Sequence, residues 1–76
     1  MNRVAVESTI LASAGYAPDR FLLDLEFRDG TLYRFWDVPA LCFQQLMASE
    51  SKGAFFNRHI RNRFRYQIVT EIREEN

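Results

Sequence analysis

The chain has 76 residues, 47% of them hydrophobic and 14% aromatic, with ten basic residues balancing ten acidic ones. That length holds one small domain, 1–76, with a thin core and excludes a second domain, while the apolar content excludes a disordered chain and the zero net charge excludes a global pull on nucleic acid or membrane. No apolar run nears membrane-spanning length, the start lacks a signal-peptide pattern, and the lone cysteine, Cys42, has no partner for an intramolecular disulfide, so a reducing, cytoplasmic setting is expected.

Met1 to Glu7 reads as a lead-in anchored by Val4 and Val6. Ser8 to Tyr16 reads as a first strand with Ile10, Ala12, Ala14 and Tyr16 on one face, small enough for another element to approach closely. Ala17-Pro18-Asp19-Arg20 is turn chemistry. Phe21 to Arg28 is the clearest strand: Phe21, Leu23, Leu25 and Phe27 alternate with Leu22, Asp24, Glu26 and Arg28. Asp29-Gly30 marks a hairpin into a third strand, Thr31 to Asp37.

The length of the hairpin loop decides which face Tyr33 and Phe35 occupy, because a slip of one residue reverses every side chain. A loop made of Asp29-Gly30 alone would pair Leu25 with Arg34 and bury the arginine. A loop of Arg28-Asp29-Gly30, with Gly30 left-handed in a bulge, pairs Leu25 with Tyr33, Leu23 with Phe35 and Asp24 with Arg34. The second register buries the aromatics and sets opposite charges across from each other, so it is the one expected. Arg34 is then exposed, Asp24 and Glu26 belong to a solvated charged face, and Trp36 faces away from the main core, either beside Leu22 and Leu32 or beneath another segment.

Pro39 suits the first turn of a helix running to about Ala48, with Phe43, Leu46 and Met47 inward and Cys42 at the margin. Ser49-Glu50-Ser51 interrupts it, and Ser51 can cap a second helix. From Ser51 to Arg65 the chain carries Lys52, Arg58, Arg61, Arg63 and Arg65 and no acidic residue. Wound as a helix, it puts Phe56, Ile60 and Phe64 on one side and a row of Arg58, Arg61 and Arg65 on the other. Such a helix can be held against phosphate; it can equally be an amphipathic surface helix with a solvated basic face. Tyr66 to Arg73 alternates well enough for a fourth strand or an extended tail, and Glu74-Glu75-Asn76 is expected to fray.

The fold expected is therefore α+β: a three-stranded antiparallel meander from Ser8 to Asp37, then two helices packed on one face, with room for a fourth strand after Tyr66. Leu23, Leu25, Phe27, Tyr33, Phe35, Phe43, Leu46, Phe56 and Ile60 make the expected core.

The ordered set Ser8, Gly15-Tyr16, Phe27-Arg28-Asp29-Gly30, Leu32-Tyr33-Arg34-Phe35, Val38-Pro39, Ser51-Lys52-Gly53, Phe56-Asn57, Ile60-Arg61 and Tyr66 resembles the KTSC domain. That short module is named for its place at the C-terminus of some lysine-tRNA synthetases and also occurs as a stand-alone bacterial protein. The resemblance spans about Ser8 to Tyr66. The family's central Tyr-x-Tyr stands here as Tyr33-Arg34-Phe35, so one phenol is missing. The resemblance brings no established activity with it; attachment to synthetases is what has suggested RNA binding for the family, and no enzyme activity and no cofactor are expected.

Residue by residue, catalytic chemistry has little to work with. His59 is the single histidine, flanked by arginines, and reads either as a general base or RNA contact or as a half-buried boundary residue. With one His and one Cys there is no metal set. Cys42 would need a base and a depressed pKa to be a nucleophile, and a buried inert thiol is the simpler reading. Tyr33 and Phe35 can serve as stacking platforms for unpaired bases, although the chosen register turns them inward; Trp36 is then the better stacking candidate. Asn57 and Asn62 border the basic helix, where each can contact a phosphate or a base, and Asn62 can instead end the helix in a left-handed conformation. An anion near Ser51-Lys52-Gly53 would meet free N–H groups; Ser51 capping with a close approach at Gly53 is the alternative. The function expected is a small non-catalytic module that binds RNA through Lys52, Asn57, Arg58, His59, Arg61, Arg63, Arg65 and Trp36. The alternative is a protein–protein module, in which the arginines meet an acidic partner or Leu22, Leu32 and Trp36 form a contact patch.

Overall fold

Five antiparallel strands run in chain order across one sheet: β1 (Arg3–Ala5), β2 (Leu11–Ala17), β3 (Leu22–Phe27), β4 (Leu32–Phe35) and β5 (Tyr66–Ile68). They belong to a computed structural model that describes residues 3–69. Met1, Asn2, the expected end of the last strand toward Arg73 and the expected frayed tail lie outside the described residues. Between β4 and β5 come two helices, α1 (Ala40–Ala48) and α2 (Lys52–Phe55), the second passing directly into one π-helical turn at Phe56–Ile60. The α+β architecture with helices on one face is the one the sequence implies, with a broader sheet.

The hairpin register follows the loop chemistry. Leu25 lies opposite Tyr33, Leu23 opposite Phe35 and Asp24 opposite Arg34. Phe27 N–H donates to Thr31 O at 2.9 Å, which leaves Arg28, Asp29 and Gly30 as the loop. Gly30 has φ +93°, a value only glycine reaches without strain, and Asp29 Oδ1 accepts the Thr31 N–H at 2.9 Å.

The lead-in is in fact a strand, pairing Val4 with Ala14 and Ala5 with Ser13. It is too short, and too exposed on both faces, to leave an alternating pattern. A bulge between Leu11 and Ser13 also resets the phase of β2. Leu11, and not Ala12, is therefore fully buried, while Ala14 and Tyr16 keep the inward positions expected of them.

One face of the sheet carries two apolar rows. Val4, Ala14, Leu25, Tyr33 and Ile68 form the first, and Tyr16, Leu23, Phe35 and Tyr66 the second. The helices cover this face: Leu46, Phe56 and Ile60 are buried with Leu11, Leu23, Leu25, Phe35 and Val38. Pro39 sits immediately before α1 at φ −66°. Ser51 caps α2 by accepting the Ala54 N–H at 3.2 Å. Gly53 permits the close approach: a Cβ there would stand 3.1 Å from the Ile10 side chain. The cover thins toward the β4–β5 end, where Tyr33, expected in the core, is half-buried and Tyr66 and Ile68 stay 52% and 49% exposed; Phe27 and Phe43, also expected in the core, are half-buried, Phe43 stacked on Tyr16.

The opposite face is polar but not simply solvated. The Arg34 guanidinium closes on the Asp24 carboxylate with two bonds, Nε to Oδ1 at 2.9 Å and Nη2 to Oδ2 at 3.0 Å. Asp24 is only 3% exposed, where a solvated charge was expected, because the planar fork lies over it. Arg34 is correspondingly half-buried. Beside this pair, Arg3 Nε donates to Ser13 Oγ at 3.1 Å and Ser13 Oγ donates to Glu26 Oε1 at 2.8 Å. Leu22 is buried and Leu32 and Trp36 are half-buried, so the contact patch expected of those three is largely covered.

Candidate nucleic-acid interface

The arginine row does not form. The backbone widens at Phe56, where the Arg61 N–H reaches Phe56 O at 2.8 Å, a bond spanning five residues, and Arg61 itself is extended. Asn62 follows at φ +63°, the left-handed stop that its side chain favours. A wheel drawn at regular pitch from Ser51 to Arg65 therefore fails after Ile60. Arg58 lies with His59, Ser51 and Phe55 beside a shallow groove. Lys52 Nζ donates to Ser49 O at 3.0 Å and so closes the helix junction. The Arg65 guanidinium stands 5.5 Å from the centre of the Trp36 ring, and Trp36 N–H donates to Arg65 O at 2.9 Å. Arg63 is exposed, its N–H donating to Ile60 O at 3.0 Å. Asn57 is exposed with Oδ1 3.5 Å from Arg61 Nη1, and the His59 ring lies against Phe55 with centroids 4.6 Å apart.

What the early helix stop does accomplish is to set Arg61 and Asn62 at the mouth of an aromatic cleft of about 370 Å³. Phe35 and Phe56 form its buried floor, and Phe27, Tyr33 and Tyr66 its half-open walls. Asp29, from the β3–β4 loop, completes the rim. The rings touch in sequence: Phe27 to Phe56 at 5.2 Å between centroids, Phe27 to Tyr33 at 5.1 Å, and Tyr33 to Tyr66 at 5.4 Å. These spacings are those of favourable edge and offset contacts between rings. The volume lies within the usual range of small-molecule sites, and apolar walls with a few polar rim groups are what such sites are made of.

Tyr33 was expected inside and is instead half-exposed in this cleft, while Phe35 is buried beneath it. Of the candidate residues named from the sequence, Arg61 alone borders the cleft together with Tyr33, Phe35 and Asn62; Trp36 lies elsewhere, under Arg65. From the sequence, Phe27 and Phe56 read as core, Asp29 as hairpin turn and Tyr66 as the start of a fourth strand or an extended tail. The alternation of Tyr66 with Ile68 was the available signal, since it places Tyr66 beside Phe35 as soon as β5 pairs with β4.

The reactive groups lie outside this cleft. Burial pushes the Cys42 thiol above its ordinary value, which keeps it protonated and weakly nucleophilic. Burial also raises the Tyr16 phenol, whose hydroxyl donates to Val38 O. Among the described residues, no helix is long and apolar enough to cross a membrane.

Comparison with known proteins locates this architecture. The family model for the KTSC domain matches residues 7–64. A protein from Stutzerimonas stutzeri is 43% identical over 58 residues, which are 76% of this chain and 82% of that one. A lysine–tRNA ligase from Nostoc is 31% identical over 64 residues, 84% of this chain but 11% of the ligase. The crystal structure of a KTSC domain protein from Yersinia pestis is similar with a TM-score of 0.87 and 35% identity, covering 90% of this chain and 96% of that one. With the matched span running from β2 through the π-helical turn and the rim of the cleft, the chain belongs to the KTSC domain family.

Proposed function

We propose that this domain is a non-catalytic module that binds single-stranded RNA in the aromatic cleft. The carrying observation is the conjunction of half-open Tyr33 and Tyr66 rings with Arg61 and Asn62 at the same mouth. Unpaired bases stack on aromatic walls with about 1–3 kcal/mol each, and a guanidinium at the rim meets the adjoining phosphate. The occurrence of a related segment within a lysine–tRNA ligase supports RNA as the ligand class and the cytoplasm as the setting. The non-catalytic reading rests on the protonated, half-buried Cys42 and the exposed His59 both lying outside the cleft.

The test is a titration of labelled single-stranded RNA at several salt concentrations. Each phosphate contact contributes about 0.7 to the slope of log affinity against log salt. Arg61→Gln is expected to lower the slope by about 0.7, whereas Arg58→Gln and Arg65→Gln leave it unchanged. Equal effects of all three variants would return the RNA to a diffuse basic surface. No binding at low salt would favour the second reading, a protein-interaction module, for which the exposed Tyr66 and Ile68 on edge strand β5 are the supporting observation.

A further inference from the structure

We infer that the cleft selects guanine among the four bases, with Asp29 as the residue that reads it; this rests on the RNA-binding reading above. The polar rim is mixed. Arg61 and Asn62 bring donors on the helix side, and Asp29 brings a carboxylate on the hairpin side. Asp29 is exposed at the rim, and its negative charge disfavours a phosphate at the hairpin side of the mouth, since like charges repel. It suits a base whose edge offers donors.

Asp29 is held ready for this. Its Oδ1 accepts the Thr31 N–H at 2.9 Å, which fixes the side chain within the loop and holds the carboxyl below its ordinary range, so the group is ionised and a pure acceptor at neutral pH. A carboxylate carries about four acceptor positions, and the Thr31 backbone and side chain draw on part of that capacity. The loop that carries Asp29 is fixed in turn by Gly30 at φ +93° and by the Phe27–Thr31 backbone bond.

The four bases differ at the edge such a carboxylate would meet. Guanine presents two adjacent donors, N1–H and the N2 amino group, followed by the O6 acceptor. Adenine and cytosine place an acceptor next to their amino group, and uracil has a single donor between two acceptors. Guanine alone matches a carboxylate with two parallel bonds, and it leaves O6 for a donor from Asn62 or Arg61 across the mouth. The other bases would set a ring nitrogen or carbonyl against the negative charge. The Tyr33 hydroxyl, half-buried at the wall and without a hydrogen bond among the described residues, is a further polar group within the cleft. The aromatic walls supply affinity to any base; the rim supplies the choice.

Discrimination by one good bidentate pair is worth about 1–3 kcal/mol, which is roughly fivefold to a hundredfold in affinity for a guanine-containing ligand. The experiment titrates the full chain with the RNA hexamers UUUGUU, UUUAUU, UUUCUU and UUUUUU at one low salt concentration. UUUGUU is expected to bind about tenfold tighter than the others, and Asp29→Asn to reduce that gap to about twofold. Folding of the variant is checked by its thermal transition. Equal binding of all four hexamers would overturn guanine selection and leave the RNA reading standing. A preference that persists in a folded Asp29→Asn protein would overturn the role of Asp29. Failure to bind any hexamer would overturn both readings together.

Discussion

Replacing Arg34 with methionine isolates the energetics of the outer sheet face. Methionine keeps an unbranched stem of similar reach but removes the fork that makes two bonds to Asp24. The carboxylate, 3% exposed in the native protein, is then left in a desolvated position without its partner. Breaking a buried pair in this way costs about 3–5 kcal/mol. The Arg34 side chain is itself 33% exposed, so water can reach part of the vacated space and the lower end of that range, about 3 kcal/mol, applies. For a domain of this size each kcal/mol moves the midpoint by roughly 4–8 °C, giving a fall of roughly 12–24 °C. Thermal unfolding followed by circular dichroism at neutral pH measures it directly. Adding Asp24→Asn removes the orphaned charge and is expected to recover at least half of the loss. A fall of less than about 4 °C in the single variant would show that the pair behaves as an ordinary surface ion pair and that burial of Asp24 has no energetic consequence.

Tyr66→Ala is expected to weaken RNA binding by about 1–3 kcal/mol while changing stability little, because the ring is 52% exposed; parallel titration and melting separate the two effects. Cys42→Ala is expected to leave RNA binding intact. The raised Cys42 value also has a definite sign: its contribution to stability is fully present below the ordinary thiol value of 9.0 and is lost as pH rises through the higher folded value, so the native protein should lose stability over that alkaline window more steeply than the alanine variant. Equal alkaline slopes in urea titrations would place the thiol in a water-like environment.

Much of the sheet is legible in the sequence because local chemistry and burial agree there. Leu23, Leu25 and Phe27 alternate, Asp29-Gly30 allows only a few loop geometries, and the opposite charges of Asp24 and Arg34 favour the same register that buries Phe35. Pro39 and Ser51 likewise announce their helices through backbone requirements that do not depend on the rest of the molecule. The arginines of the Ser51–Arg65 stretch are a different case. A helical wheel assumes uniform pitch, and nothing in Phe56-Asn57-Arg58-His59-Ile60 signals the π-helical turn, which arises where Phe56 and Ile60 must both be buried while the chain turns toward β5. The cleft was illegible for a related reason. It is assembled from a strand, a hairpin loop, a helix end and an edge strand, and only the completed β4–β5 pairing brings Asp29, Arg61 and Tyr66 to one mouth. Burial of Asp24 was hidden because a charge alternating with leucines looks the same whether water or a guanidinium lies above it.

The strand order has a kinetic consequence. β1 to β4 are joined by short connections, so each pairing can form soon after its neighbour without closing a long loop. β5 is the exception, since both helices intervene before Tyr66 can meet Phe35. That last pairing bears the largest loop-closure entropy in the sheet and joins a strand of three exposed residues, so it should complete last during folding and open readily in the native state. Amide hydrogen exchange should accordingly show weaker protection at Tyr66–Ile68 than at Leu23–Leu25. The ligand-binding wall would then be the part of the protein that spends the most time ajar, and a bound strand of RNA would stabilise the whole domain by holding that final rung shut.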